Sequence, residues 1–458
     1  MKSEFISQPR SQKIHLKTSI PGPRSRLLRE REDQYLAPGL QNFALMAGIV
    51  VDHARGSTVT DVDGNTMIDL IGGIGVNGLG HSHPKWIKAV QEQMLMTSVG
   101  SFTSMPRIKL LECLSENAPA PGVNRLQLYS GGSEAVESAL RQAKSYTKKH
   151  EFVSFWGGFH GKTLGSLSLM GSDFKQDLGP MAPGNHTVPY ANCYRCPLQK
   201  KPSDCGMACV ELAKKQIKMN SSGNIAAVVV EPMQGTSGNV VPPDDFLLAV
   251  QDMSHSLGAL LIVDEMITGF GRTGKYWGSQ HSGIKPDIVT LGKQFGGGFP
   301  VSAVLSREDI VQSKPWGNPS GSSSSYGGNP LAAVAAHASL KIIEDESLVE
   351  NSRQVGAYFL KKLEGLQEKY SFIDNAHGRG LFLGLDMVKD KKSKEPLSKA
   401  ACHKIFDACL KRGLLTMAYV STFRIQPAMT IDTSTVNHAL EVLDEVFGVA
   451  ENENWKDN

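Results

Sequence analysis

Lys293 is the residue in this sequence whose setting most invites chemistry. It stands in Asp287-Ile-Val-Thr-Leu-Gly-Lys-Gln-Phe-Gly-Gly-Gly298, where a short apolar run gives way to glycines. A lysine amine loses its proton more readily when desolvated, and the neutral amine is the form that condenses with a carbonyl carbon. A solvated lysine on a flexible loop would have the same local sequence. Leu261-Ile-Val-Asp-Glu-Met-Ile-Thr-Gly269 ends an apolar run in the carboxylate pair Asp264 and Glu265. An ionised carboxylate there is costly unless a cation or strong donor meets it. A protonated pyridine nitrogen, a helix N-terminus and a metal ion are the partners that could do so.

Three further segments carry similar signals. Tyr129-Ser-Gly-Gly-Ser-Glu-Ala135 places Gly132 and Ser133 where a helix starts, and free N–H groups with the helix dipole make that end an anion site. The same residues would also serve as an ordinary N-cap. Gly157-Gly-Phe-His-Gly161 sets a flat aromatic, Phe159, and His160 among small residues. Phe159 could stack on a planar ligand or simply belong to the core, and His160 could be hydrogen-bonded scaffold. Ser322-Ser-Ser-Ser-Tyr-Gly-Gly-Asn-Pro330 is a hydroxyl-rich turn before a helix, or by composition a flexible linker.

These segments follow predicted strands. Arg125–Tyr129, Phe152–Phe155, Ile225–Val230, Leu260–Val263 and Asp287–Leu291 are short apolar runs separated by helical patterns, as at Ser133–Lys149. Such alternation describes a mostly parallel sheet buried on both faces, with ligands at the carboxyl ends of its strands. A hairpin turning at Asp63-Gly64 precedes this region, and a helix opens at Pro84. Helices are expected over 331–343, 346–370 and 397–412, with strands at Gly380–Asp386 and Thr422–Gln426, making a smaller α+β segment. Pro21, Pro23 and Pro38 forbid one continuous helix in the charged N-terminal arm.

Bulk properties narrow the class. A chain of 458 residues exceeds the usual single core. A net charge of +3 gives no electrostatic argument for nucleic acid or an anionic membrane. No run approaches the ~20 apolar residues of a membrane span, and the N-terminal segment has no hydrophobic stretch of a secretory signal. The seven cysteines, an odd number, point to reduced thiols and a cytoplasmic protein.

The ordered motifs resemble those of class III (ω-type) aminotransferases, of the fold-type I pyridoxal-phosphate superfamily. The match runs from about Tyr35 to Val449, and its most specific parts are Asp264-Glu-Met-Ile-Thr-Gly-Phe-Gly-Arg-Thr-Gly274 and Pro286-Asp-Ile-Val-Thr-Leu-Gly-Lys293. Gly80-His-Ser-His-Pro84, Glu231-Pro-Met-Gln-Gly235, Tyr326-Gly-Gly-Asn-Pro-Leu-Ala332 and Phe423-Arg-Ile-Gln-Pro427 support it. The resemblance implies an α/β fold: a large domain over 76–330 with a mostly parallel, helix-covered sheet that binds pyridoxal 5′-phosphate. A smaller α+β domain would form from 1–75, which includes the N-terminal arm, and 331–458.

The resemblance also implies roles. Lys293 would form the Schiff base and then move the proton between the substrate α-carbon and the cofactor. Asp264 would pair with the pyridinium nitrogen, Phe159 and Met266 would cover the two ring faces, and Gly132 and Ser133 would hold the phosphate. Ser325 of a second copy would complete that cradle, so a homodimer with shared sites is expected, or a tetramer. His160 and Glu231 occupy cofactor-proximal positions. Arg424 matches the arginine that grips a substrate carboxylate, a task suited to its planar fork.

Two departures from the family pattern matter. Thr236 follows Gln234-Gly235 where relatives acting on ornithine or 4-aminobutyrate carry a glutamate that covers the arginine, so small α-keto acids such as pyruvate or glyoxylate are expected as acceptors. Ile267 replaces a glutamine found in many relatives near the cofactor's phenolic oxygen. Cys193, Cys196, Cys205 and Cys209 have a spacing that zinc or iron–sulfur sites also use, but they have no part in transamination and are read as free thiols of an insertion, with no metal. The expected activity is ping-pong transfer from an amino acid or amine to a small α-keto acid. Racemisation or epimerisation, decarboxylation and elimination on the same cofactor are the rival reactions, and a non-enzymatic binding protein is the third possibility.

Overall fold

The computed structural model describes residues 12–457. The chain forms two compact units, one made of the residues up to Ile87 and from Ser347 onward, the other of Lys88–Glu346. The latter is built on a seven-stranded sheet: β1 (Arg125–Tyr129), β2 (Glu151–Phe155), β3 (Asn185–Val188), β4 (Ile225–Val230), β5 (Leu260–Asp264), β6 (Ile288–Leu291) and β7 (Ser302–Ser306). Their spatial order is β1-β7-β6-β5-β4-β2-β3. Strands β6, β5, β4, β2 and β3 run parallel, while β7 is antiparallel to both β6 and β1. The mostly parallel sheet is therefore as expected, but β7 and β3 were not foreseen. Ser302-Ala-Val-Leu-Ser306 is flanked by serines and lacks a long apolar run, although all five residues are buried.

The sheet is buried on both faces, and the two-residue period of a strand sorts the side chains. Val153, Phe155, Val228, Val230, Leu261 and Val263 point to one side, where Val210, Ala213 and Ile217 of α3 (Ala208–Asn220) and Phe246, Leu247 and Val250 of α4 (Phe246–Ser256) cover them. Phe152, Ala227, Val229, Leu260 and Ile262 point to the other, against α2 (Gly132–Thr147). The stripe Ala135, Val136, Ala139, Leu140 and Ala143 recurs at helical spacing, so α2 buries one face on the sheet. Two further helices of this unit, α1 (Met105–Glu116) and α5 (Pro330–Asp345), pack on each other. Because α5 packs on α1 and on the Lys293–Gly296 segment, it belongs with the sheet, and the smaller unit resumes at Ser347 and not at the expected 331.

In the other unit the hairpin joins Thr58–Asp61 to Thr66–Asp69, and the Asp61 carboxylate accepts the N–H groups of Asp63 and Asn65. Gly64 takes the left-handed conformation of that turn (φ +85°). A second sheet pairs Ile373–Arg379, Phe382–Asp390 and Thr422–Ile425, with Arg424 opposite Gly384. Helices Leu348–Lys369, Lys399–Lys411 and Thr433–Asn452 complete this unit. Part of the arm expected to be broken by prolines is helical from Pro23 to Glu32, with proline at the helix start where it is tolerated. The arm's first eleven residues lie outside the described ones. Among the described residues no helix is long and apolar enough to cross a membrane.

Candidate active site

Strand order and direction bring the motifs to one edge of the sheet. β2, β4, β5 and β6 are parallel, and β1 runs with them because β7 is antiparallel to β1 and β6 alike. Their carboxyl ends therefore share an edge, and each is followed by a motif: Gly132–Ser133 after β1, Phe159–His160 after β2, Glu231 after β4, Asp264 ending β5 and Lys293 after β6. Register sets the level. Val230 pairs with Val263 and Asp264 with Thr290, so Glu231 and Asp264 stand side by side, three residues before Lys293 along the next strand.

Asp264 is 3% exposed, and its Oδ2 lies 2.7 Å from His160 Nδ1. Its Oδ1 accepts the Met266 N–H at 3.1 Å. Burial alone would lower the proton affinity of His160, but the hydrogen bond and charge of Asp264, helped by Glu231, raise it above the ordinary value, with Lys293 opposing. The hydrogen bond to His160 answers part of the cost of burying the Asp264 carboxyl. Glu265, the other member of the carboxylate pair, does not join the site. Alternation turns it the other way, where it accepts the N–H groups of Gly278 (2.9 Å) and Ser279 (2.8 Å) and the Thr268 hydroxyl.

Lys293 is half-buried and has φ +50°, the left-handed region that costs a residue with a side chain of the order of 1–3 kcal/mol. Its neighbour Gln294 pins it there. Gln294 is buried, its amide donates to the Gly269 carbonyl, its Oε1 accepts Arg272 Nη2 at 3.3 Å, and its own carbonyl accepts the Ser339 hydroxyl at 2.9 Å. Sequence reasoning missed Gln294. A buried amide after the lysine in a glycine-rich segment is its only local signal.

Glycines measure how closely these segments meet. A Cβ on Gly132 would come 3.2 Å from Met266 Sδ, one on Gly292 2.6 Å from the same sulfur, and one on Gly161 2.2 Å from Ser133 Oγ. Met266 thus lies against both the α2 N-terminus and the residue before Lys293, and the Phe159 loop abuts Ser133. At α2, Glu134 accepts the N–H groups of Ser130 and Gly131, while those of Gly132 and Ser133 belong to the first turn and have no acceptor within the helix. Phe159 is half-buried, edge-on to Phe174 at 5.6 Å. Burial raises the proton affinity of Glu231, which accepts the N–H groups of Phe159 (2.9 Å) and Gly235 (3.1 Å); His160 works in the opposite direction.

The sequence between residues 41 and 447 matches the family model for class III aminotransferases. This chain belongs to the class III aminotransferase family. Enzymes of this family depend on pyridoxal 5′-phosphate, and the fold is that of fold-type I transferases. Among similar proteins, a leucine/methionine racemase of Thermococcus litoralis is 34% identical over 88% of this chain and 92% of its own. A 4-aminobutyrate aminotransferase of Mycobacterium leprae is 31% identical over 95% and 98%. An amine transaminase from an uncultivated Pseudomonas species, solved in its pyridoxal-phosphate-bound form, superimposes with a TM-score of 0.84 at 29% identity, over 91% of this chain and 98% of that one.

The residues fit the class III cofactor. The buried Asp264 carboxyl suits a protonated ring nitrogen, and the Gly132 and Ser133 N–H groups, which have no acceptor within α2, suit a phosphate. The serine-rich segment is no loose linker: the Tyr129 hydroxyl donates to the Ser322 carbonyl at 2.8 Å, and Asn329 caps α5 through the Ala332 N–H at 2.8 Å. Ser325 within it is exposed. Arg424 belongs to the other unit, where it is 7% exposed. Burial lowers its proton affinity against the effect of Tyr419, and its Nε finds no hydrogen-bond partner among the described residues. Cys193, Cys196, Cys205 and Cys209 line one small cavity and form no disulfide. No three His, Cys, Asp or Glu side chains among the described residues gather as a metal site. Burial and the neighbouring thiols push Cys193 up to about 11.

Proposed function

We propose that the protein is a cytoplasmic, dimeric aminotransferase moving an amino group from an amino acid or amine to a small α-keto acid. The observation that carries this reading is the buried His160–Asp264 pair beside the backbone-strained Lys293. Pyridoxal phosphate, when bound, supplies an electron sink for the bond broken at the substrate α-carbon. The chain would do the rest. Lys293 would hold the cofactor and would take up and return the proton at the substrate α-carbon. Asp264, fixed by His160, holds a proton at the ring nitrogen. Phe159 and Met266 would exclude water from the ring, and the Gly132 and Ser133 N–H groups would hold the phosphate, with Ser325 of a second copy. The buried Arg424, with an unused donor, suits a substrate carboxylate. Thr236, where relatives acting on ornithine or 4-aminobutyrate carry a glutamate, favours acceptors such as pyruvate or glyoxylate over 2-oxoglutarate.

Borohydride treatment of the holoenzyme followed by peptide mapping should leave a pyridoxyl label on Lys293. A label elsewhere, or none, removes the proposal at its base. Amino donors paired with pyruvate, glyoxylate and 2-oxoglutarate test the acceptor, and a clear preference for 2-oxoglutarate rejects that part. The 34% identity to a leucine/methionine racemase supports a second reading, racemisation on the same residues. A single enantiomer inverted without any keto acid, faster than amino transfer, would establish it in place of the first.

A further inference from the structure

The acidic residue after β4 has no role in the chemistry above, yet it is buried and fully engaged. Glu231 is 7% exposed; Oε1 accepts the Phe159 N–H at 2.9 Å and Oε2 the Gly235 N–H at 3.1 Å. One carboxylate thus joins two loops, the one carrying Phe159 and His160 and the Gln234–Ser237 turn. Two more side chains lace the same loops together. Gln234 Nε2 donates to the Trp156 carbonyl at 2.8 Å, and the Ser237 hydroxyl donates to the Gly157 carbonyl at 2.6 Å. The approach is close enough that a Cβ on Gly157, itself left-handed at φ +76°, would come 2.3 Å from Ser237 Oγ. From behind, the Tyr190 hydroxyl donates to the carbonyls of Glu231 (3.2 Å) and Pro232 (3.1 Å), fixing where the carboxylate starts.

Only a carboxylate does this job with one side chain, because both partners are donors and each oxygen must accept. A glutamine keeps one acceptor and turns an N–H₂ group toward the other N–H. An aspartate keeps the charge but is one methylene short of spanning both. We infer that Glu231 is a positioning residue, a two-armed clamp that sets Phe159 and His160 against the Gln234–Ser237 turn and so fixes how the cofactor ring is seated. The inference rests on the assignment of Phe159 and His160 to the cofactor. Its structural part, the clamp, stands independently of that assignment.

The test uses the full-length protein and three measurements. In the wild-type protein without cofactor, the Phe159 and Gly235 amides should exchange hydrogen slowly; exchange as fast as in an exposed loop overturns the clamp, and needs no variant. Glu231→Gln and Glu231→Asp, each with its melting transition recorded, should weaken pyridoxal-phosphate binding roughly tenfold or more and reduce the circular dichroism of the bound cofactor's visible band. Both variants matching wild type within twofold in affinity and band strength overturns the inference. Weakening in Glu231→Gln with full retention in Glu231→Asp also overturns it, because charge alone would then suffice. Borohydride labelling of wild-type Lys293 runs alongside. If that label fails while the amides are protected, the functional reading falls and the clamp survives; if the label holds and the amides are unprotected, the reverse is true.

Discussion

His160 Nδ1 sits 2.7 Å from Asp264 Oδ2, and the two side chains are 1% and 2% exposed. The hydrogen bond between them is strongest when the imidazole carries its second proton. Burial would lower the proton affinity of His160, yet the hydrogen bond and charge of Asp264 raise it above 6.5. The contribution of the imidazolium is therefore full below about 6.5 and fades as pH rises through the higher folded value. His160→Asn should lose more thermal stability relative to wild type at pH 6 than at pH 9. It should also lower kcat about 10–100-fold, because Asp264 is then held less firmly. A stability gap that widens toward alkaline pH would contradict the charged pair.

Lys293 holds a conformation that glycine adopts without strain and alanine does not, at φ +50°. Both Lys293→Ala and Lys293→Gly should be inactive and incapable of borohydride labelling. They should nevertheless differ in stability, with the glycine variant about 1 kcal/mol more stable in a denaturant titration. Equal midpoints, or a more stable alanine variant, would show that the backbone relaxes and stores no strain.

The sheet and the motifs at its edge were legible because both are written locally. Ile225-Ala-Ala-Val-Val-Val230 is a fully buried strand with the same bounds read from sequence and seen in the fold. Lys293, Asp264 and Gly132 follow such runs directly, so finding the strands placed them. What escaped was pairing across long sequence distances. Nothing around Ser302-Ala-Val-Leu-Ser306 says that it is wedged antiparallel between β1 and β6. Nothing near Glu265 says that it will serve Gly278 and Ser279, thirteen and fourteen residues on. The placement of α5 also depends on contacts with α1, and its own helical pattern says nothing of them.

The turn before Thr236 has little spare room. A Cβ on Gly235 would fall 2.4 Å from Ile267 Cδ1, the end of a flexible side chain and not backbone. Gly235→Ala should therefore destabilise by about 1–3 kcal/mol through overpacking, and Ile267→Val in the same chain should recover most of that loss. A double-mutant cycle with no coupling between the two positions would show that the clash is relieved elsewhere.

Glu151, at the start of β2, carries a pH dependence of opposite sign to that of His160. Burial would raise its carboxyl, but hydrogen bonds from the Ser221 hydroxyl, from the Ser222 hydroxyl (2.7 Å) and N–H (3.1 Å), and from His186 (3.1 Å) outweigh this and hold it at about 2. A carboxyl lowered on folding stabilises fully above its unfolded value of 4.5 and loses that contribution as pH falls toward 2. Glu151→Gln keeps the shape but accepts fewer bonds, so it should cost about 1–3 kcal/mol at pH 7. Denaturant midpoints of the two proteins should draw together between pH 4.5 and the acid limit of folding, and a gap that stays constant over that range would remove the charged form of Glu151 from the account.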